Sequence, residues 1–238
     1  LELLLRLGVE HVTVYAFAIQ NNKRGPIEVK QLMEMGKDKM RQVCERGELF
    51  DRFGIRMRMV GRIDLLPQDV QDLVHKVEAL TAHNTRGTIN VAFSYASLEE
   101  ISSSIKKSVR ETIEKGQPSS SIDIDTLANN LYTTHTPPLD MLIRSSGVNR
   151  ISDFFLWQLI LNSSKYVNVL NDSKHDQSLK ESNSKRDTIP GAKYHIVPTY
   201  WPDFGMWDMV PIIVEWQADE IIQRLMNAIG LKSPPIIN

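Results

Sequence analysis

"HVTVYAFAIQNNKRGPIEVKQLM" runs from His11 to Met33 and changes character once. His11 to Ile19 is rich in β-branched and aromatic residues with few polar interruptions, the composition of a strand buried on both faces. Gly25-Pro26 then punctuates the chain, and proline is tolerated at the first position of a helix because its missing N–H has no partner there anyway. Beyond it, Val29, Leu32, Met33, Gly36, Met40, Val43 and Cys44 recur at helical spacing on one face. The stretch reads as strand, turn, helix.

The same alternation continues outward. On the N-terminal side, Leu1 to Leu7 looks like the end of a helix stopped by Gly8. On the other side, Gly54 to Gly61 alternates apolar residues with arginine, as a strand with one wet face does. Pro67 opens a helix with the stripe Val70, Leu73, Val74, Val77 and Leu80, and Thr88 to Tyr95 is the next strand. Ser97 with Glu100 three positions on has the form of a capping box, for a helix that stops near Gly116. A short helix over Asp125 to Tyr132, a strand in "LDMLIRS", a helix in "DFFLWQLIL" and a fifth strand over Lys165 to Leu170 follow. Strands alternating with helices predict an α/β fold, a parallel central sheet flanked by helices, with five strands visible. One domain spanning residues 1–238 is expected. The polar, aperiodic stretch 171–199 is expected to be a disordered insertion. "WPDF" and a long helix carrying Ile212, Ile213, Trp216, Ile222 and Leu225 close the chain.

The totals exclude several function classes. Of 238 residues, 42% are hydrophobic and 24% charged, with a net charge of −1, so no global positive field recruits nucleic acid. The single cysteine, Cys44, forms no disulfide within the chain and sits on an apolar helical stripe. No apolar run reaches the ~18 residues of a membrane span, and no signal peptide is visible. The six histidines show no metal spacing, and neither nucleotide-binding glycine motif is present.

Two stretches carry chemistry. "IRSSGVNRISDFFLWQ", Ile143 to Gln158, places Arg144 at the carboxyl end of a strand and Arg150 on the loop that follows. In parallel sheets ligands sit beyond that end of the strands. Ser145-Ser146-Gly147 offers small residues with exposed backbone N–H groups, and Ser152 or Asp153 would cap the next helix. Two guanidinium forks, a hydroxyl and a helix terminus suit a diphosphate. The plainer reading pairs Arg144 with Asp140 or Asp153 and leaves Arg150 solvated. The second stretch, Tyr15 to Val29, brings Phe17, Asn21, Arg24 and Glu28 just past the first strand. Asn can orient or relay a proton and Arg can hold phosphate. Each also has a structural reading: Phe17 in the core, Asn21 in a turn, Arg24 and Glu28 as a surface pair.

In this order the two stretches resemble the cis-prenyltransferase family. Its members read Tyr-Ala-Phe-Ser-x-Glu-Asn-x-x-Arg-x-x-x-Glu-Val, matched from Tyr15 to Val29. They also read Asp-Leu-x-Ile-Arg-Thr-x-Gly-x-x-Arg-x-Ser-Asn/Asp-Phe-x-x-Trp-Gln, matched from Asp140 to Gln158. The resemblance implies transfer of isopentenyl units from isopentenyl diphosphate onto an allylic diphosphate, farnesyl diphosphate being the expected starter, with new cis double bonds. The product would be a long-chain dehydrodolichyl diphosphate, used for dolichol and protein glycosylation. It implies Mg²⁺ as cofactor, Arg144, Arg150 and Ser152 as holders of the diphosphate, and Asn21 near the departing proton. Phe17, Ala18 and Arg24 would line the same region, supported by Glu28 and Gly147.

The departures are Ala18 for the family's serine, Gln20 for its glutamate, Leu98 for an arginine and Ser163 for a glutamate. The family's Asp-Gly-Asn-Arg-Arg segment, with its magnesium aspartate, is expected upstream of Leu1, which leaves no metal ligand in this chain. Ser-Gly-Val in place of Gly-Gly-Glu resembles eukaryotic dehydrodolichyl diphosphate synthase catalytic subunits. That likeness implies a heterodimer with a non-catalytic subunit supplying Arg-x-Gly, peripheral membrane association, and a place at the cytosolic face of the endoplasmic reticulum or at lipid droplets. The chain alone is expected to be inactive. The competing reading is a non-catalytic partner subunit or inactive fragment of the same fold.

Overall fold

The structure, a computed structural model, describes residue 4 and residues 7–161 and 192–229. The strand expected over Lys165 to Leu170 lies outside the described residues. The chain divides into two compact units. Unit 1 takes residues 1–137 with Asp153–Phe155, and unit 2 takes Pro138–Ser152 with 156–238. The expected α/β fold of parallel strands flanked by helices is observed, and among the described residues the strands pair in one parallel ladder in each unit.

Unit 1 contains β1 (His11–Ala18), β2 (Ile55–Val60) and β3 (Gly87–Tyr95), in the order β1-β3-β2 with both pairings parallel. Parallel neighbours need crossovers, and helices supply them. These are α1 (Pro26–Glu45), α2 (Gly47–Phe53) and α3 (Gln68–Thr81). Pro26 opens α1 as the sequence predicts. One face of the sheet meets the stripes of α1 and α3: Met33, Met40, Val70, Val74 and Val77 are buried with Phe17, Met57 and Phe93. β2 is an edge strand, and its outward amides are satisfied by side chains of α3. Met59 N–H donates to Glu78 Oε1 at 2.7 Å, and Met57 N–H to Thr81 Oγ1 at 3.0 Å. This closes an edge that would otherwise template further pairing.

Past β3, α4 (Ser97–Glu114) and α5 (Ile124–Asn129) complete unit 1. The capping box at Ser97 does not form: the N-cap is Ala96, without a side-chain cap bond. Glu100 instead points inward, fully buried. Its Oε2 accepts the Tyr95 hydroxyl at 2.6 Å, and its Oε1 accepts both the N–H and the hydroxyl of Thr133 at 2.9 and 2.8 Å. The buried face of α4 is polar throughout: Ser97, Glu100, Ser104, Ser108 and Thr112. Ser104 donates to the Leu127 carbonyl and Ser108 accepts from Asn130, so the α4–α5 interface is hydrogen-bonded. The apolar residues Leu98, Ile105, Val109 and Ile113 are the exposed ones.

Unit 2 holds β4 (Met141–Arg144) paired in parallel with β5 (Lys193–Ile196), then α6 (Leu156–Leu161) and α7 (Met206–Ala228). β5 falls inside the stretch 171–199, so Lys193–Ile196 within it is a strand. "KYHI" is short and of mixed polarity, and pairing to β4 rather than composition defines it. The N–H of Lys193 donates to Asp140 O, and Val197 N–H to Arg144 O. α7 follows the predicted C-terminal helix. Among the described residues, no helix is long and apolar enough to cross a membrane.

Candidate functional site

In unit 1 the chain beyond the carboxyl end of β1 makes a 3₁₀ turn, Ile19–Lys23, before α1. The register between β1 and β3 slips between Tyr15 and Phe17 and again between Phe17 and Ala18. Such bulges re-aim side chains next to functional sites. Phe17 turns inward, 2% exposed, with its ring centroid 5.6 Å from that of Phe93. The core reading of Phe17 is thus the observed one. Asn21 is half-buried in the turn, and its carbonyl accepts the Arg24 N–H at 3.1 Å. Arg24 pairs with Glu28 one helical turn on at 2.5 Å, both side chains about half exposed. Exposed pairs of this kind contribute about 0–1 kcal/mol, so Arg24 can exchange Glu28 for an anionic ligand at little cost. Beside it lies an open depression of about 530 Å³, bordered by Asn22, Arg24, Val29, Lys30 and Lys37.

Two further residues at this end of the sheet have unusual backbones. Gly61 follows β2 at φ +136°, where an added Cβ would lie 2.4 Å from the Phe93 carbonyl oxygen. Ser94 is fully buried at φ +51°, and its hydroxyl has no hydrogen-bond partner among the described residues. Arg62, next to Gly61, is held by both oxygens of Asp64 and by Glu99 at 2.6–2.7 Å. These acidic partners raise its already high pKa.

The segment Asp153–Phe155 also belongs to unit 1. Asp153 does not cap the helix that follows it, because α6 begins only at Leu156. It caps α4 instead: its carbonyl accepts the Ser97 N–H at 2.9 Å and its Oδ1 the Leu98 N–H at 3.0 Å. Oδ2 accepts from Gln20 Nε2, also at 3.0 Å. Gln20, a departure from the resembled motif, thereby gains a role: a glutamate there would set one carboxylate against another. The rings of Phe154 and Tyr15 stack at 4.5 Å, and Phe155, 3% exposed, meets Tyr95 edge-on. No local pattern marks these contacts in advance. The available signals were the Phe-Phe pair and the acceptor at position 153.

In unit 2, Arg144 ends β4, half-buried, and Arg150 and Ser152 are on the loop that follows. Among the described residues Arg144 makes no ion pair with Asp140. The expected exposed amides of Ser146 and Gly147 are not available for an anion. They donate to the carbonyls of Thr199 and Val197 at 2.9 and 2.8 Å, extending the β4–β5 ladder into the loop. Ser146 and Gly147 have positive φ of 73° and 61°, which glycine adopts without strain. Among the described residues no group of three or more His, Cys, Asp or Glu could hold a metal ion. The described residues by themselves do not make up a magnesium site.

Residues 1–181 match the prenyltransferase family model described as "Putative undecaprenyl diphosphate synthase". The chain is 35% identical over 217 residues to a dehydrodolichyl diphosphate synthase complex subunit of Schizosaccharomyces pombe, covering 91% of this chain and 71% of that one. It is 31% identical to the human dehydrodolichyl diphosphate synthase complex subunit over 92% of this chain, but spans only 56% of that protein's length. Among solved structures, lavandulyl diphosphate synthase from Lavandula x intermedia, in complex with dimethylallyl diphosphate, superimposes with a TM-score of 0.69 at 26% identity. That match covers 89% of this chain and 77% of the lavender enzyme.

Proposed function

The chain belongs to the undecaprenyl diphosphate synthase-like family of cis-prenyltransferases, and from that premise we propose that it transfers isopentenyl units onto an allylic diphosphate to build a long-chain cis-polyprenyl diphosphate. The observation that carries the proposal is the Arg144–Ser152 stretch. One arginine ends a parallel strand, and a second arginine and a serine hydroxyl follow it on the loop.

In this reading Arg144, Arg150 and Ser152 hold the diphosphate of isopentenyl diphosphate, the arginines as bidentate forks and the serine as a single donor. The isopentenyl double bond attacks the allylic carbon as its bond to the diphosphate oxygen breaks. A carbon–carbon bond forms and one proton leaves the isopentenyl unit. Asn21 orients the group that takes this proton. Arg24 exchanges its weak pair with Glu28 for a diphosphate oxygen, Phe17 and Ala18 set the apolar floor behind it, and Gly147 lets the loop turn. Mg²⁺ belongs to the proposed reaction as the family's cofactor.

We further propose farnesyl diphosphate as starter and a second, non-catalytic subunit of the same fold as partner. Two features support a protein partner: the relatives are named as complex subunits, and α7 with the segment before it exposes Tyr200, Trp201, Trp207, Ile221, Ile222 and Leu225. A polyprenyl product also favours work at a membrane surface, the endoplasmic reticulum being the expected one. The test is incorporation of labelled isopentenyl diphosphate into butanol-extractable product by the chain co-expressed with a partner subunit. Cis double bonds in a long-chain product are the expected result, and no incorporation with a folded, assembled complex overturns the reading.

A further inference from the structure

We propose that Asp153 is a positioning residue for this reaction, acting through a matched polar clamp with Gln20; the proposal rests on the function argued above. A single carboxylate and its own carbonyl tie together two elements far apart in sequence. Oδ1 and the carbonyl hold the first two N–H groups of α4, at Leu98 and Ser97, and Oδ2 holds the side chain of Gln20 across 133 residues. Gln20 lies in the 3₁₀ turn that also carries Asn21. Asp153 directly follows Ser152 in the chain. Within unit 1, one residue thus fixes the turn that presents Asn21.

The backbone shows that this position is held rather than relaxed. Ser152, Asp153 and Phe155 have φ of 55°, 56° and 54°, the left-handed region that non-glycine residues rarely occupy. Such strain persists only where the surroundings over-determine it. Here those surroundings are the three bonds to Asp153 on one side and the Tyr15–Phe154 and Tyr95–Phe155 ring contacts on the other. The pair is also matched in polarity. Gln20 donates and Asp153 accepts; exchanging Gln20 for a glutamate leaves two carboxylates in contact, which cannot both stay ionised without cost. Exchanging Asp153 for an asparagine keeps the acceptor for Leu98, and the Gln20 amide can rotate to accept from the new donor.

The experiment uses four variants of the full chain, assembled with its partner subunit: Gln20→Glu, Asp153→Asn, the double variant, and Asp153→Ala. Steady-state kinetics with isopentenyl diphosphate and the thermal midpoint are read for each. Gln20→Glu and Asp153→Ala are expected to lower kcat/KM on the order of tenfold, as small misplacements of reacting groups do. Asp153→Asn is expected to stay near wild type. In the double variant the introduced carboxylate at position 20 accepts from the introduced amide at position 153, so activity should recover to within about threefold of wild type. A Gln20→Glu variant as active as wild type, or a double variant no better than Gln20→Glu, overturns the clamp. Reversal in thermal midpoints with no change in turnover overturns the positioning role and leaves a structural cap. If wild type itself turns nothing over, the function reading fails. The midpoints then decide the clamp alone: Gln20→Glu below wild type with recovery in the double variant supports it, and no such recovery overturns it.

Discussion

At the scale of single residues, the most consequential side chain outside the two motifs is Glu100. A buried carboxylate is costly unless its acceptors are filled, and Tyr95 and Thr133 fill them with three donors. Glu100→Ala leaves those donors buried and unpaired, so a loss of about 3 kcal/mol is expected from urea unfolding. A change under about 0.5 kcal/mol would mean water replaces the carboxylate. His135 gives a pH signature. Its Nε2 lies 3.0 Å from Asn90 Oδ1, and burial, then Arg58, Arg56 and His11, push its pKa from 6.5 down to about 4. The folded state thus binds that proton less readily than the unfolded state, so stability is present above pH about 6.5 and declines as pH falls towards about 4. His135→Gln should flatten thermal midpoint against pH in this window, and an unaltered slope would assign the decline to other groups. None of this was legible in the sequence, where a lone histidine looks like any other and Glu100 reads as half of a capping box with Ser97. Gln20 and Asp153 were visible only as a departure from a motif and a helix cap, because a contact across 133 residues leaves no local trace.

Elements were far more legible, since strand and helix follow from periodicity. β1, β2, β3 and β4, and the helices opened by Pro26 and Pro67, fall where the patterns put them. α4 was expected from its cap and its stop near Gly116, and its burial runs against composition. Ser97, Glu100, Ser104, Ser108 and Thr112 keep helical spacing and are the buried face, while Leu98, Ile105, Val109 and Ile113 are exposed. Composition alone turns this helix round. The loop after β4 failed differently: the small residues were recognised, but pairing of Ser146 and Gly147 to the strand partner's extension takes their amides. β5 was missed because four residues of mixed polarity carry no signal of their own. A prediction belongs here for the end of β2. Gly61→Ala drives a Cβ against a carbonyl oxygen at a backbone angle that side chains avoid. It should lower stability by about 2 kcal/mol or more in denaturant unfolding. A neutral Gly61→Ala would show that the strand ends can separate there.

At the scale of the whole molecule, family membership, two motifs following parallel strands, and a largely apolar exposed surface on α7 support the proposal of a prenyl-transferring subunit that works in a complex. Trp207 is 82% exposed, and fully desolvated tryptophans often dominate interfaces. Trp207→Asp is expected to reduce recovery of a co-expressed partner subunit while leaving the chain's own thermal midpoint in place; undiminished recovery would move the interface elsewhere. The central claim, that Arg144 and Arg150 hold the isopentenyl diphosphate, is tested most directly by calorimetric titration of isopentenyl diphosphate into the assembled complex. Wild type should bind, and Arg144→Ala should bind roughly 10- to 100-fold more weakly, the loss of a charge-assisted contact. Equal affinity in wild type and Arg144→Ala would contradict the account and leave Arg144 as a solvated arginine at a strand end.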